Sequence, residues 1–330
     1  MRATWCAVAL GVVCLATGPA AAQRPTALRV GADNDAFNFW LPPWERTDHE
    51  YTSGVRGSVD YDGPSPVLRR LLSSVGAACA PSECAQHSFT LGQAIFTGFA
   101  ADTSGPAGAT AGAGARSLAA RPNAGWLYVQ ASERDSVASV ATEYSIAIGI
   151  VGPPALGEAM QQFFHSFGRE FQRPVDWSRQ LPFEPGFVAR YTRTSYARAW
   201  VDDGTWRAVP YTSLGGAVGT ILTEAAAGAG VQASVRIPGS EKRWYVPFVD
   251  VTANGRARGV IRDEFLDGAL FRASERVKRK PFVFERTFAV ALTWQQLTLG
   301  YRVNHTGRQY TTQSQATNWS SLTAEWRLSR

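Results

Sequence analysis

The stretch that decides the fold is Thr287-Phe288-Ala289-Val290-Ala291-Leu292-Thr293-Trp294, followed by Gln295-Gln296 and then Leu297-Thr298-Leu299-Gly300-Tyr301-Arg302-Val303-Asn304. In the first run the even positions are large and apolar and the odd ones small or polar; in the second the parity is reversed. A period of two belongs to a β-strand with one apolar face. With Gln295-Gln296 as a two-residue turn, antiparallel pairing sets Leu292 opposite Leu299, Val290 opposite Tyr301 and Phe288 opposite Val303, all on one face. Gln-Gln is not a favoured hairpin dipeptide, so the sequence leaves the turn type open. A polar loop, 305–320, comes next, and then Leu322, Ala324, Trp326 and Leu328 alternate with polar neighbours. A short turn on one side and a long loop on the other is the rhythm of an outer-membrane barrel.

The same alternation recurs at Val55, Gly57, Val59 and Tyr61, and at Val140, Tyr144, Ile146, Ile148 and Ile150, the latter opposed by Ala141, Ser145, Ala147 and Gly149. Small or polar opposite faces suit a barrel lumen and also the solvated face of a soluble β-sandwich. Aromatic richness tilts the choice, since aromatics are 12% of the 330 and suit membrane girdles better, with a soluble β-sandwich as the alternative. The expectation is an all-β, antiparallel transmembrane barrel.

The first residues fix the compartment. Arg2 is followed by an apolar run from Trp5 to Leu15, a Gly18-Pro19 break and the small residues Ala20, Ala21 and Ala22. This pattern is a secretory signal peptide over 1–22, which leaves a single barrel domain over 23–330. No later window approaches the roughly 18 apolar residues of a membrane helix, so an exported chain that crosses a membrane does so as a closed barrel. Cys6 and Cys14 leave with the signal. Cys79 and Cys84, in Cys79-Ala-Pro-Ser-Glu-Cys84, are predicted to form a disulfide; a metal site would need ligands that do not flank them. The net charge of +6 is spread along the chain, which argues against nucleic acid and allows a polyanionic surface such as phosphorylated glycolipid.

One stretch breaks the strand pattern. Between Gly152-Pro153-Pro154 and Pro174, Met160, Phe163, Phe164 and Phe167 stand at helical spacing, which predicts a short amphipathic helix over 157–168. Gln161 and His165, at i and i+4, share its other face. The chain has four histidines, at 49, 87, 165 and 305, and no GxSxG elbow or P-loop. His165 is set on a regular element, whereas the other three are expected in loops. Near the mature N-terminus, Asp33-Asn34-Asp35 offers two carboxylates and an amide oxygen, the hard ligands Ca²⁺ prefers, although a polar turn accounts for it equally well. Asp48 and Thr52 fall at a loop-to-strand junction.

At these residues the chain resembles the LpxR-type lipid A deacylase family of outer-membrane proteins. The resemblance rests on Asn34-Asp35-Ala-Phe, on Asp48 with Tyr51-Thr52-Ser-Gly54, on Arg121-Pro122-Asn-Ala-Gly125-Trp126-Leu-Tyr, and on Gly149-Ile-Val-Gly152-Pro153 followed by Gln161 and His165. A fifth block runs from Leu266-Asp267-Gly268-Ala-Leu-Phe271-Arg272 to Lys280-Pro281. The resemblance implies a twelve-stranded barrel with its site on the outer wall near the outer leaflet. It also implies Ca²⁺-dependent removal of the 3′-linked acyloxyacyl chain of lipid A. Carried over by position, His165 would activate water, Asn34 and Asp35 would hold Ca²⁺, and Thr52 and Gln161 would complete the site. Arg116 and Arg121 are the nominations for contact with the lipid A phosphates. The chain departs from the family pattern at Phe171, where an acid is usual and Glu170 stands one residue early, at Ala120, at Asn123 and at the terminal Arg330. A transport or structural barrel and a barrel phospholipase are the alternative functions, and oligomeric state is left open.

Overall fold

The computed structural model describes residues 23–38, 50–68, 85–98, 120–166, 177–237 and 248–328, with position 165 described by its backbone. The signal peptide, Asp48, Cys79, Cys84, Arg116, Glu170 and Phe171 lie outside the described residues. Alternating apolar and polar positions produce strands β1 (Pro25–Asn34), β2 (Glu50–Asp62), β3 (Ala85–Thr97), β4 (Ala124–Val137), β5 (Val140–Val151) and β6 (Glu184–Tyr196). A two-residue strand β7 (Val201–Asp202) precedes β8 (Trp206–Gly219), β9 (Leu222–Arg236), β10 (Phe248–Asp263), β11 (Phe282–Trp294), β12 (Leu297–Thr306) and β13 (Thr317–Arg327).

Every neighbour in the sheet is antiparallel, β1 pairs with β13, and β6 pairs with β8, so twelve strands close into a barrel with β7 as a small appendage on β8. Closure removes the sheet edges, which is what allows strands to sit in a bilayer. No described helix is long and apolar enough to cross a membrane.

The deciding hairpin has the expected register: Leu292 faces Leu299, Val290 faces Tyr301 and Phe288 faces Val303. Its turn is solved by backbone conformation, since Gln295 adopts φ 52°, the left-handed geometry a tight hairpin needs and for which glycine or asparagine is the usual choice. Leu28, Val30, Ile148, Phe288, Leu292, Leu299, Leu322 and Trp326 are exposed on the outer face. The inner face carries cross-strand ion pairs, with Arg258 bridging Glu224 and Glu285 and Arg56 meeting Asp33. Connections 35–49, 98–123, 152–183 and 264–281 leave one end, whereas 138–139 and 295–296 turn at the other. By the usual asymmetry of such barrels the long-loop end is extracellular.

Near that end the lumen is filled. Trp126, Val151, Val188, Ile221, Val260 and Val283, from inward positions and the turns above them, pack around Phe265 of the short helix Glu264–Asp267, and Phe265 stacks on Phe96 at 4.1 Å. Below this plug the lumen is polar, with cavities of about 180 and 300 Å³ lined by residues such as Arg56, Thr90, Tyr128, Glu143, Thr194 and Gln232. Two histidines differ from expectation: His87 lies within β3 and His305 within β12, where each ring nitrogen Nδ1 bonds a neighbouring oxygen at 2.8 Å. Single polar residues inside alternating runs do not by themselves mark loops.

Candidate functional site

The site is built where β1 leaves the barrel at the long-loop end. Asn34 is still extended (φ −160°, ψ 144°), and its Oδ1 accepts from the Ala36 N–H at 2.7 Å, capping the single turn Asp35–Phe37. That turn is strapped to the outer wall. Asn38 Nδ2 donates to the Asn318 carbonyl at 2.8 Å, Ser320 Oγ donates to Asn38 Oδ1, and Tyr301 Oη donates to the Phe37 carbonyl at 2.8 Å. Asp35, only 2% exposed, is thereby held against the outside of the barrel.

Asp33 goes the other way. Strand period sends it into the lumen, where its carboxylate accepts from Tyr51 Oη and from Arg56, each at 2.7 Å. The expected Asp33-Asn34-Asp35 ligand cluster is therefore split. Asp33 is a lumen ion-pair partner, and Asn34 and Asp35 alone remain at the outer site.

Thr52 sits at a β-bulge. Tyr51 pairs with Phe96 and Ser53 with Ile95, so one extra residue is accommodated between them. The bulge turns Thr52 to the outer side beside Ser53, and its hydroxyl bonds that of Thr97. Ser53 pairs directly with Asn34 across β1 and β2. Asn34, Ser53, Ile95 and Gly125 thus form a continuous row around the wall.

At the far end of that row stands the helix α1 (Gly157–His165), which begins at the predicted residue, ends three residues before the predicted end and is followed by its C-terminal cap Ser166. Two glycines seat it: a Cβ on Gly125 would lie 3.0 Å from both Gly157 Cα and N. The preceding turn, Pro153–Ala155, is tied down by Gln93, whose Nε2 donates to the Ala155 carbonyl at 2.5 Å. Gly125 and Gln93 have the outward parity of Val129 and Leu91, so α1 lies on the outside of β3 and β4.

Gln161 is 4% exposed while Phe163 is 38% exposed, so this one polar residue looks at the wall and one aromatic looks outward, with Glu158 and Gln162 also on the exposed side. Gln161 Oε1 accepts from Trp177 Nε1 at 2.7 Å, and position 165 follows one helical turn later. Three strand spacings, about 14 Å, separate the backbones of Asn34 and Gly125. A helix about 10–12 Å across stands on the Gly125 side, and Thr52, Ser53, Ile95 and Thr97, all buried, lie on the wall between it and Asn34.

Sequence reasoning missed three residues here. Ser53 Oγ and Gln93 Oε1 are buried and meet no hydrogen-bond partner among the described residues. Trp177 is the third. A signal did exist for Gln93: it is a polar residue at an outward position flanked by Leu91 and Ile95. Arg121 corrects the other way. Its guanidinium is 2% exposed, 3.5 Å from Glu50 and 4.7 Å above the Phe96 ring, so it closes the barrel mouth and is not offered to a phosphate. Tyr310 Oη donates to the same Glu50 at 2.5 Å, and burial together with that carboxylate holds the Tyr310 phenol well above its usual range.

The model of the family described as outer membrane protein LpxR matches residues 6–328. Among solved structures, LpxR from Salmonella typhimurium superposes with a TM-score of 0.69 at 16% identity, covering 92% of this chain and 100% of that one. The β domain of the Bordetella autotransporter BrkA is a more distant likeness, with TM-score 0.45 and 9% identity over 93% of this chain and 99% of that one. Comparison with curated protein sequences gave no match. The family match spans almost the entire chain, and with the closed twelve-stranded wall it establishes that this protein belongs to the LpxR family of outer membrane proteins.

Proposed function

We propose that the protein is an outer-membrane hydrolase that removes the 3′-linked acyloxyacyl chain of lipid A, using Ca²⁺ and water activated by His165. The observation that carries this reading is a patch of buried oxygens on the outer wall at the long-loop end, beside α1. Burying polar groups without partners costs about 1–3 kcal/mol each. Ser53 Oγ and Gln93 Oε1 bear that cost beside the buried Asp35, which supports a ligand or substrate completing the patch.

The donor set suits a hard cation. It consists of the Asp35 carboxylate, the Asn34 amide oxygen, which keeps a lone pair after capping Ala36, and neighbouring hydroxyls. Asn34 and Asp35 would hold the ion, which when bound supplies a fixed positive charge toward the ester oxygen. The chain's own residues supply the rest. His165 accepts a proton from water as the water oxygen bonds the ester carbonyl carbon. It returns that proton to the sugar-side oxygen as the acyl C–O bond breaks, so ester and water become carboxylic acid and alcohol. The wall and α1 shelter the reacting ester from bulk water. No serine nucleophile is required, in keeping with the missing GxSxG elbow.

A transport role is less well supported, because the plug around Phe265 fills the lumen that transport would need open. The test is mass spectrometry of lipid A from cells making the wild type or His165→Ala, with and without chelator. The expected result is loss of the acyloxyacyl mass in wild type alone and its retention when chelator is added. Identical acylation in all samples rejects the reading, and cleavage of glycerophospholipid in preference to lipid A transfers it to phospholipase chemistry.

A further inference from the structure

Trp177 opens the turn Trp177–Arg179 and is buried over the start of α1. Its six-membered ring lies so close to Gly157 that a Cβ there would fall 2.7 Å from Cη2. Its Nε1 lies 2.7 Å from Gln161 Oε1, and both groups are buried. The two ends of a carboxamide are ordinarily hard to tell apart, but an indole N–H only donates, so the atom it meets must be the oxygen. The flip of Gln161 is therefore dictated by Trp177. With the oxygen committed, the amide nitrogen is turned away from the indole and makes no hydrogen bond among the described residues.

We propose that Trp177 is a positioning residue for the hydrolysis: by holding the Gln161 oxygen, it presents the Gln161 N–H₂ as a donor to the negative charge that develops on the ester carbonyl oxygen. The inference rests on the hydrolase reading above. The physical reason is one of sign. A carboxamide beside the reacting ester can aim either a donor or an acceptor at the developing oxyanion, and only the donor stabilises it. Free rotation would populate both, and the wrong flip sets oxygen against oxygen. The same lock makes Gln161 a poor cation ligand, since its oxygen is already engaged, and leaves Asn34 and Asp35 as the cation-facing pair.

A preorganised oxyanion donor is worth roughly 10²–10³ in kcat. Losing the lock while keeping the donor should forfeit part of that, about tenfold, because correctly flipped molecules persist. The experiment compares initial rates of lipid A deacylation by purified wild type, Trp177→Phe, Gln161→Ala, Gln161→Glu and the double variant Trp177→Phe/Gln161→Ala. Phenylalanine keeps an aromatic ring over Gly157 and removes only the N–H. The expected results are a fall of about tenfold in kcat for Trp177→Phe with KM unchanged, and a double variant no slower than Gln161→Ala.

Gln161→Glu provides the control that does not disturb the tryptophan. It keeps an oxygen for the indole and removes the N–H₂, so it should fold, shown by unchanged gel mobility of the unheated barrel, and lose at least as much kcat as Gln161→Ala. Full kcat in Gln161→Glu or in a folded Trp177→Phe overturns the proposal, as does a Trp177→Phe loss that multiplies with Gln161→Ala. Those failures leave the hydrolase reading intact provided His165→Ala is inactive, whereas an active His165→Ala removes both.

Discussion

Adding one methyl group at Gly125 tests whether the outer-wall seat of α1 governs the chemistry. In Gly125→Ala the new Cβ would stand 3.0 Å from Gly157 Cα and N and 3.3 Å from Ala155 Cβ. Non-bonded carbons prefer about 3.5–4.0 Å, and the atoms met at 3.0 Å are backbone, which no rotamer change can move. The start of α1 must therefore lift by roughly 0.5–1 Å, a strain comparable to the ~1–3 kcal/mol of an overpacked core. A displacement of about 1 Å at a reacting group can cost about 10²-fold in rate, so deacylation should fall by roughly 30- to 100-fold. The barrel should be untouched, because the strand ladder at Gly125 is unchanged. Gly57→Ala is the matched control on the same face, where a Cβ meets nothing within 4 Å. Initial rates on purified lipopolysaccharide, read beside gel mobility of unheated and heated protein, separate activity from folding. A folded Gly125→Ala that deacylates within about threefold of the wild type would show that the helix seat does not set the geometry of the site.

Three further outcomes follow from particular groups. Asp35→Asn should abolish chelator-sensitive activity while Asp33→Asn, which alters only the lumen contacts with Tyr51 and Arg56, should stay within about twofold in kcat; equal losses in both would refute the split between faces. Arg121→Leu should lower barrel stability by about 3–5 kcal/mol, because it leaves the buried Glu50 without its cation, and should leave KM for lipid A unchanged; a raised KM in a stable protein would restore its assignment to phosphate. Glu264 is 1% exposed with neither oxygen partnered among the described residues, and burial, then Glu184 and Asp263, push its carboxyl up to about 7 against the pull of Arg262. A folded pKa raised above the ordinary 4.5 means that its contribution is fully present below pH 4.5 and is lost as pH rises through about 7. Glu264→Gln should thus raise thermal stability at alkaline pH, by up to about 3 kcal/mol, and change nothing in acid; an equal effect at both ends would contradict the burial argument.

The wall was legible because strand period and bilayer physics point the same way. Phe288, Val290, Leu292 and their partners Val303, Tyr301 and Leu299 had to share a face, and the register is the one that parity demands. The site was legible less directly. Asn34, Asp35, Thr52, Gln161 and His165 were picked out by resemblance, and nothing in local spacing says that Asn34 lies one strand from Ser53 and three from Gly125. Asp33 stands next to Asn34 in sequence but not in the site, because in an extended strand neighbours point to opposite faces. Arg121 was misjudged because an arginine in a loop resembles a solvated one until Glu50, Phe96 and Tyr310 close around it.

The orientation of α1 carries the deepest consequence of the membrane setting. On a soluble protein a helix bearing Met160, Phe163 and Phe164 would bury those residues and offer Gln161 to water. Here the exterior is hydrocarbon and lipid headgroup, so exposing Phe163 costs little, and Gln161 can be turned against the barrel while Glu158 and Gln162 stay on the exposed side. The wall must then be polar where it receives Gln161, and it is: the bulge at Thr52 doubles the outward hydroxyls, Gln93 interrupts the apolar row, and Gly125 removes the side chain that would hold the helix away. Each of these is unfavourable for a barrel alone. A bulge breaks the ladder, an outward glutamine contradicts the lipid face, and an outward glycine adds no packing. They become mutually consistent only once the helix is in place, and that consistency supports the proposal that the outer wall, not the plugged lumen, is the working surface of the molecule.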